Sequence, residues 1–237
     1  MLTSPLCHSQ WLTFARTDAY GGSQIDNSLT YGTSPATKDQ INTYLEDVRD
    51  GNVDLGSGRV MHYINSGINP LSQIWQEAID NGLSYQAKQT ARSKVDAQVG
   101  AIASQLRSIN KNDTLFKTAH GSDYLVAGIP PLEILPTFKY QASNDATKLA
   151  FLQELSARFN DKLEVFTRRF STQVTNGGQA FFYDMAALWR EFKSNPGKYG
   201  LTKGDATCYN STTGGVCSNP DEYIYFDVRL AHPLLLL

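Results

Sequence analysis

The chain has 237 residues, a net charge of −2 and 11% aromatic residues, which suits one sizeable α/β core and is short for two domains. Scattered Lys and Arg exclude an electrostatic grip on nucleic acid as its main business, and the aromatic content argues against disorder. No apolar run, the terminal Leu234–Leu237 included, approaches a membrane span. In chain order, Met1–Phe14 lacks the basic start and continuous apolar core of a signal peptide. Asp18–Leu29 is a turn centred on Gly21 and Gly22, where paired glycines permit positive φ and close approach of a ligand. An ordinary surface turn is the plain alternative. Lys38–Val48 predicts an amphipathic helix with Ile41, Tyr44, Leu45 and Val48 on one stripe. The polar loop Asp50–Gly58 carries Gly56–Ser57–Gly58 ahead of a strand, so it is no phosphate-binding fingerprint.

Val60–Asn65 reads as a buried strand, because β-branched and aromatic residues dominate a short run. Pro70 then suits the first position of a helix on which Leu71, Ile74 and Trp75 repeat. The intervening Ser66–Gly67–Ile68–Asn69 is a tight strand-to-helix turn at the carboxyl end of a strand, where α/β sheets bind ligands. Asn69 either offers its amide to a crevice or simply caps the helix. A long helix is expected over Tyr85–Asn110, since Val95, Val99, Ile102, Leu106 and Ile109 form a core stripe. Asp123–Ile129 is a second buried strand, stopped by Pro130–Pro131 and followed by a loop to Asp145. A third helix spans about Ala146–Val174, with Asn176–Gly177–Gly178 as its stop. Gln179–Tyr183 is a third strand, Asp184 caps the helix Met185–Lys193, and Tyr223–Phe226 is a fourth strand. Alternating strands and helices predict parallel pairing in a single-domain, three-layer α/β/α sandwich.

Cys208 and Cys217 flank a polar loop, a spacing that suits a disulfide and lacks the Cys-x-x-Cys pattern of metal sites; Cys7 stays single. Asn112 and Asn210 head glycosylation sequons. Together these favour passage through the secretory pathway, and the missing signal implies that the true beginning is absent. Asn69, the Pro130–Pro131 loop, Asp184 and Asp227–His232 all follow strands and so share one sheet edge. Asp227 and His232 suit an acid–base pair, although a histidine beside Pro233 near the end of the chain also reads as merely solvated.

The blocks Asp18–Leu29, Ser66–Asn69, Ala127–Pro136 and Tyr223–Pro233 resemble, in order, the later blocks of the GDSL (SGNH) hydrolase family, most closely its fungal secreted branch with carbohydrate acetylesterases. The resemblance implies a flavodoxin-like sandwich and an ester hydrolase of Ser-His-Asp type. It implies oxyanion donors at Gly22 (Gly21 as alternate) and Asn69, with His232 as base and Asp227 as orienter. It implies no cofactor or metal, a small ester or acylated carbohydrate as substrate, a monomer, and a secreted location. The chain departs from the pattern in four ways. No Gly-Asp-Ser block precedes Gly21; four residues rather than two separate Asp227 from His232; Pro70 replaces an Asp common in the family; and the closing helix is missing after Leu237. The expectation is therefore an esterase fold with weak or no hydrolysis, the nucleophile unassigned and the N-terminal strand truncated. A catalytically inactive carbohydrate-binding protein, with Trp75 and Tyr63 suited to sugar stacking or to the core, and a truncated gene product are the competing readings.

Overall fold

The computed structural model describes residues 16–56, 58–112, 114–115, 121–175, 177–210 and 213–226. Its elements are α1 (Thr37–Arg49), β1 (Val60–Asn65), α2 (Ile68–Asp80), α3 (Tyr85–Asn110), β2 (Ser122–Ala127), α4 (Pro136–Gln141), α5 (Ala146–Ser171), β3 (Ala180–Tyr183) and α6 (Met185–Ser194). The short strands β4 (Lys203–Thr207), β5 (Tyr209–Asn210), β6 (Gly215–Val216) and β7 (Tyr223–Tyr225) follow.

Strands β1, β2 and β3 pair in that order, all parallel. The register sets His62 beside Tyr124 and Ala180, and Tyr63 beside Leu125 and Phe181. Because side chains alternate along a strand, these two rows face opposite ways. The His62 row meets the helices. Tyr124 packs edge-on against Phe170 of α5, and His62 against Tyr44 of α1. Helices α2, α3 and α5 pack on one another over this face, and the stripe foreseen on α3 is buried throughout. The other row is less covered: Met61, Tyr63, Phe181 and Tyr183 are all exposed. Parallel strands joined by helices make this the α/β/α sandwich class that the alternating pattern predicts.

Asp145 caps α5 and Asp184 caps α6, each through a carboxylate accepting from backbone amides of the first turn. Cys208 and Cys217 form a disulfide across the β5–β6 hairpin, and Cys7 lies outside the described residues. Two expectations need correction, and one alternative is settled. The Tyr223–Phe226 segment gives β7, which pairs in parallel with β4 and, among the described residues, does not join the main sheet. Its inward side chains are claimed elsewhere: Tyr225 stacks on Trp189 of α6 and its hydroxyl donates to Ile134 O. The stretch after Pro131 is no plain loop but a 3-10 turn, Leu132–Ile134, and then α4, which starts at Pro136 and seats Phe138 against Trp75. Trp75 is fully buried and its indole N–H donates to Lys148 O, which settles it as core and removes it from sugar stacking.

Candidate functional site

Parallel pairing sends Ser66–Asn69, Gly128–Glu133 and Asp184 off the same edge of the sheet. The first of these turns depends on Gly67. It takes φ +144°, and a Cβ there would lie 2.7 Å from Phe159 Cζ and 2.9 Å from Ile129 Cγ2. Only glycine permits both the backbone and the contact. Helix α2 therefore starts at Ile68, with Gly67 as its N-cap and Pro70 as its third residue. Asn69 is consequently inside the first turn and does not cap it. Its side chain reaches out instead, Nδ2 donating to Ser23 O at 2.9 Å.

That bond brings α2 onto the glycine turn. Ser23 N donates to Tyr20 O at 3.3 Å, closing a four-residue turn in which Gly22 takes φ +75°, the left-handed value that the third position of a type II turn demands. Ser34 Oγ donates to Gly21 O, Gln40 Nε2 donates to Ser23 Oγ, and Ser23 Oγ to Pro35 O. The Gly22 N–H and the second Nδ2–H of Asn69 find no acceptor among the described residues. Beneath them, Thr37 Oγ1 donates to Ser66 Oγ at 2.9 Å, tying the start of α1 to the end of β1. Gly22 and Asn69, far apart in sequence, are thus brought to neighbouring positions through Ser23. Asp184, on the same edge, is engaged as a cap.

The far side of the loop is held by amides that sequence reasoning missed. Gln73 Oε1 accepts from Tyr31 N at 3.1 Å while its Nε2 donates to Tyr31 O at 2.5 Å. Gln105 Nε2 donates to Ile25 O, and Gln98 Nε2 to Thr30 Oγ1. A signal existed: Gln98 and Gln105 stand seven residues apart on the apolar stripe of α3, where a polar side chain needs a partner. A second clamp holds the β2 exit. Asn160 of α5 accepts from Ile129 N at 2.8 Å and donates to Ile129 O at 2.9 Å. Just beyond it, burial pushes the Glu133 carboxyl above its ordinary pKa while Arg190 pulls the other way.

Asp227 and His232, the expected orienter and base, lie outside the described residues. The one histidine described, His62, is no substitute. It sits on the helix-covered face of β1, stacked on Tyr124, with Nε2 3.1 Å from Tyr44 OH. Burial lowers its pKa to about 4. No cluster of three or more His, Cys, Asp or Glu that could hold a metal occurs among the described residues, and no helix among them is long and apolar enough to cross a membrane.

An α/β protein whose parallel sheet delivers the Asn69 turn against a glycine turn is the class that this geometry defines. No protein-family profile matches the chain. An inactive GDSL esterase/lipase-like protein 25 of Arabidopsis thaliana is 28% identical over 159 residues, covering 62% of this chain and 37% of that protein. The GDSL esterase/lipase EXL4 of the same plant is 25% identical over 222 residues, covering 91% and 62%. The chain is a homologue of the GDSL (SGNH) esterase/lipases. It spans 37% and 62% of the length of these relatives, less than two thirds of either, and both are plant proteins, so they speak for the family and not for its fungal branch.

Proposed function

We propose that the notch between Gly22 and Asn69 is an ester-binding site of GDSL type, and that the 237-residue chain hydrolyses esters weakly or not at all. The Asn69–Ser23 bond is the observation that carries this reading, because it sets an asparagine amide within one residue of the Gly22 N–H. Two such donors suit a carbonyl oxygen that gains negative charge in a tetrahedral intermediate. The sequence holds no Gly-Asp-Ser block. Without a nucleophile, what remains of such chemistry in serine proteases is about 10³–10⁴-fold over water, far below a working enzyme. The substrate class is a small ester or acylated carbohydrate. Secretion is part of the same proposal, supported by the Cys208–Cys217 bond and by sequons at Asn112 and Asn210.

The test is a fluorophosphonate labelling and 4-nitrophenyl acetate assay on the purified chain. Negligible turnover and no stoichiometric serine labelling are expected; full labelling at any serine overturns the inactivity. Binding of acetylated xylo-oligosaccharide that survives Asn69→Ala unchanged overturns the site.

A further inference from the structure

Helices α3 and α5 pack along a seam whose charges are matched for much of its length. Arg92 meets Glu154, and Arg158 and Lys162 share Asp96. Beyond Lys162 the acids run out. Arg107 of α3 and Arg169 of α5 line a groove of about 390 Å³ together with Lys162, Phe166, Phe170 and Gln173. No acid lines it, and among the described residues neither guanidinium meets a carboxylate. Glu164, between Lys162 and Arg169 in the sequence, is taken by Arg168. Lys162, Phe166 and Arg169 recur at i, i+4 and i+7, so they form one stripe of α5. The floor is aromatic. Phe166 stacks on Phe170 with centroids 5.5 Å apart, and Arg107 Cζ lies 5.1 Å from the Phe166 centroid. A guanidinium held over a ring is preorganised while the N–H groups at its edge stay available. The end of the groove is fastened as well: Asn110 Nδ2 donates to Gln173 O and Thr175 N to Asn110 Oδ1, both at 3.1 Å. That chain leads into β3, so the groove lies at the amino end of the strands, away from the Gly22–Asn69 notch.

Cations in the last turn of a helix complement its dipole, which accounts for Arg107 and Arg169 one at a time. It does not account for their sharing one groove across a seam, over a ring and with no acid between them. Like charges so placed repel, and an anion relieves both. We propose that this groove binds a phosphomonoester that carries a flat or apolar body. Two planar guanidinium forks suit the oxygens of a dianionic phosphate, and Lys162 adds a point charge. Phe166 offers its ring to the attached body. A single carboxylate satisfies one guanidinium and leaves the other unmet; inorganic phosphate leaves the ring unused. The same chemistry occurs in a soluble organic phosphate and in the headgroup of phosphatidic acid. The site is separate from the notch and stands whether or not the chain acts on esters.

The experiment is calorimetric titration of the purified chain at neutral pH with phenyl phosphate, inorganic phosphate and benzoate. Co-sedimentation with phosphatidylcholine vesicles, with and without phosphatidic acid, is its second arm. Phenyl phosphate should bind at a single site about tenfold more tightly than either other probe. Arg107→Gln and Arg169→Gln should each lose about tenfold, and the double variant should give no binding heat. Arg107→Lys keeps the charge without the fork and should fall between the parent and Arg107→Gln. Phe166→Leu should abolish the preference for phenyl phosphate over inorganic phosphate while inorganic phosphate binds as before. Both arginines are exposed, so circular dichroism of the double variant should match the parent, and phenyl phosphate should raise the melting temperature of the parent alone. No binding of phenyl phosphate by the parent, parent-like binding by the double variant, or benzoate bound as tightly as phenyl phosphate overturns the proposal. Sedimentation with phosphatidic acid vesicles that the double variant loses, alongside phenyl phosphate binding, identifies a headgroup as the source. Phenyl phosphate binding without sedimentation identifies a soluble ester. Sedimentation without phenyl phosphate binding marks a charged surface and no groove site, and overturns the proposal too.

Discussion

Single residues fix the site by what they exclude. Gly67 admits Phe159 and Ile129 to van der Waals distance at a φ that no side chain tolerates well. Gly67→Ala combines overpacking with backbone strain, and a loss of about 3 kcal/mol or more is expected in urea unfolding. His62 is one source of acid sensitivity. Its folded pKa, about 4, lies below the ordinary 6.5 because burial penalises the cation. As pH falls, the unfolded chain therefore takes the proton first. The stability associated with neutral His62 is fully present above about pH 6.5 and declines towards pH 4, with a limiting slope of about 1.4 kcal/mol per pH unit. Urea midpoints measured at pH 7, 6 and 5 should show that slope, and His62→Phe should flatten it. The turns that carry Gly22 and Asn69 are legible in the sequence because a glycine pair and a strand-to-helix turn have local signatures. Gln73 is not legible, since a glutamine on a helix face reads as solvated until its partner, 42 residues away, is known.

At the scale of elements, long periodic segments are the legible part. The start of α3 is set by the Ser84 cap and its buried stripe fills the part from Val95 on, while β1 keeps the expected bounds Val60–Asn65 although only His62 of that strand is buried. The Tyr223–Tyr225 segment has the same local character as the other strands, but nothing local says which strand it will pair with. Pairing is decided by tertiary contacts such as Tyr225 on Trp189. The Asn160 clamp is also a matter of elements, since it fastens α5 to the β2 exit. Both bonds are buried, so Asn160→Ala leaves an amide and a carbonyl unsatisfied. The expected cost is about 2–4 kcal/mol. Amide exchange at Ile129 should accelerate far more than exchange in β1, whereas uniform acceleration would mean that the clamp is not local.

For the molecule as a whole, the sheet face bearing Met61, Tyr63, Phe181 and Tyr183 is an exposed apolar patch, and such patches drive association. Phe181→Lys is expected to reduce light scattering at high protein concentration without lowering the unfolding midpoint; unchanged scattering would place the sticky surface elsewhere. Two kinds of cohesion coexist in the fold. Helices α3 and α5 are stitched by charges, Arg158 and Lys162 on Asp96 and Arg92 on Glu154. The loop bearing the glycine turn is held mainly by the amides of Gln40, Asn69, Gln73, Gln98 and Gln105, together with the ion pair of Lys38 with Asp26. Salt screens the first set and leaves the amides almost untouched. At about 0.5 M NaCl, stability should drop slightly while exchange at Tyr31, whose N–H is held by Gln73, changes little. A loop fastened largely by neutral amides, with the Asp26–Lys38 pair as a charged tie beside them, feels its ionic medium less than the helices do, so brine would meet nearly the same turn.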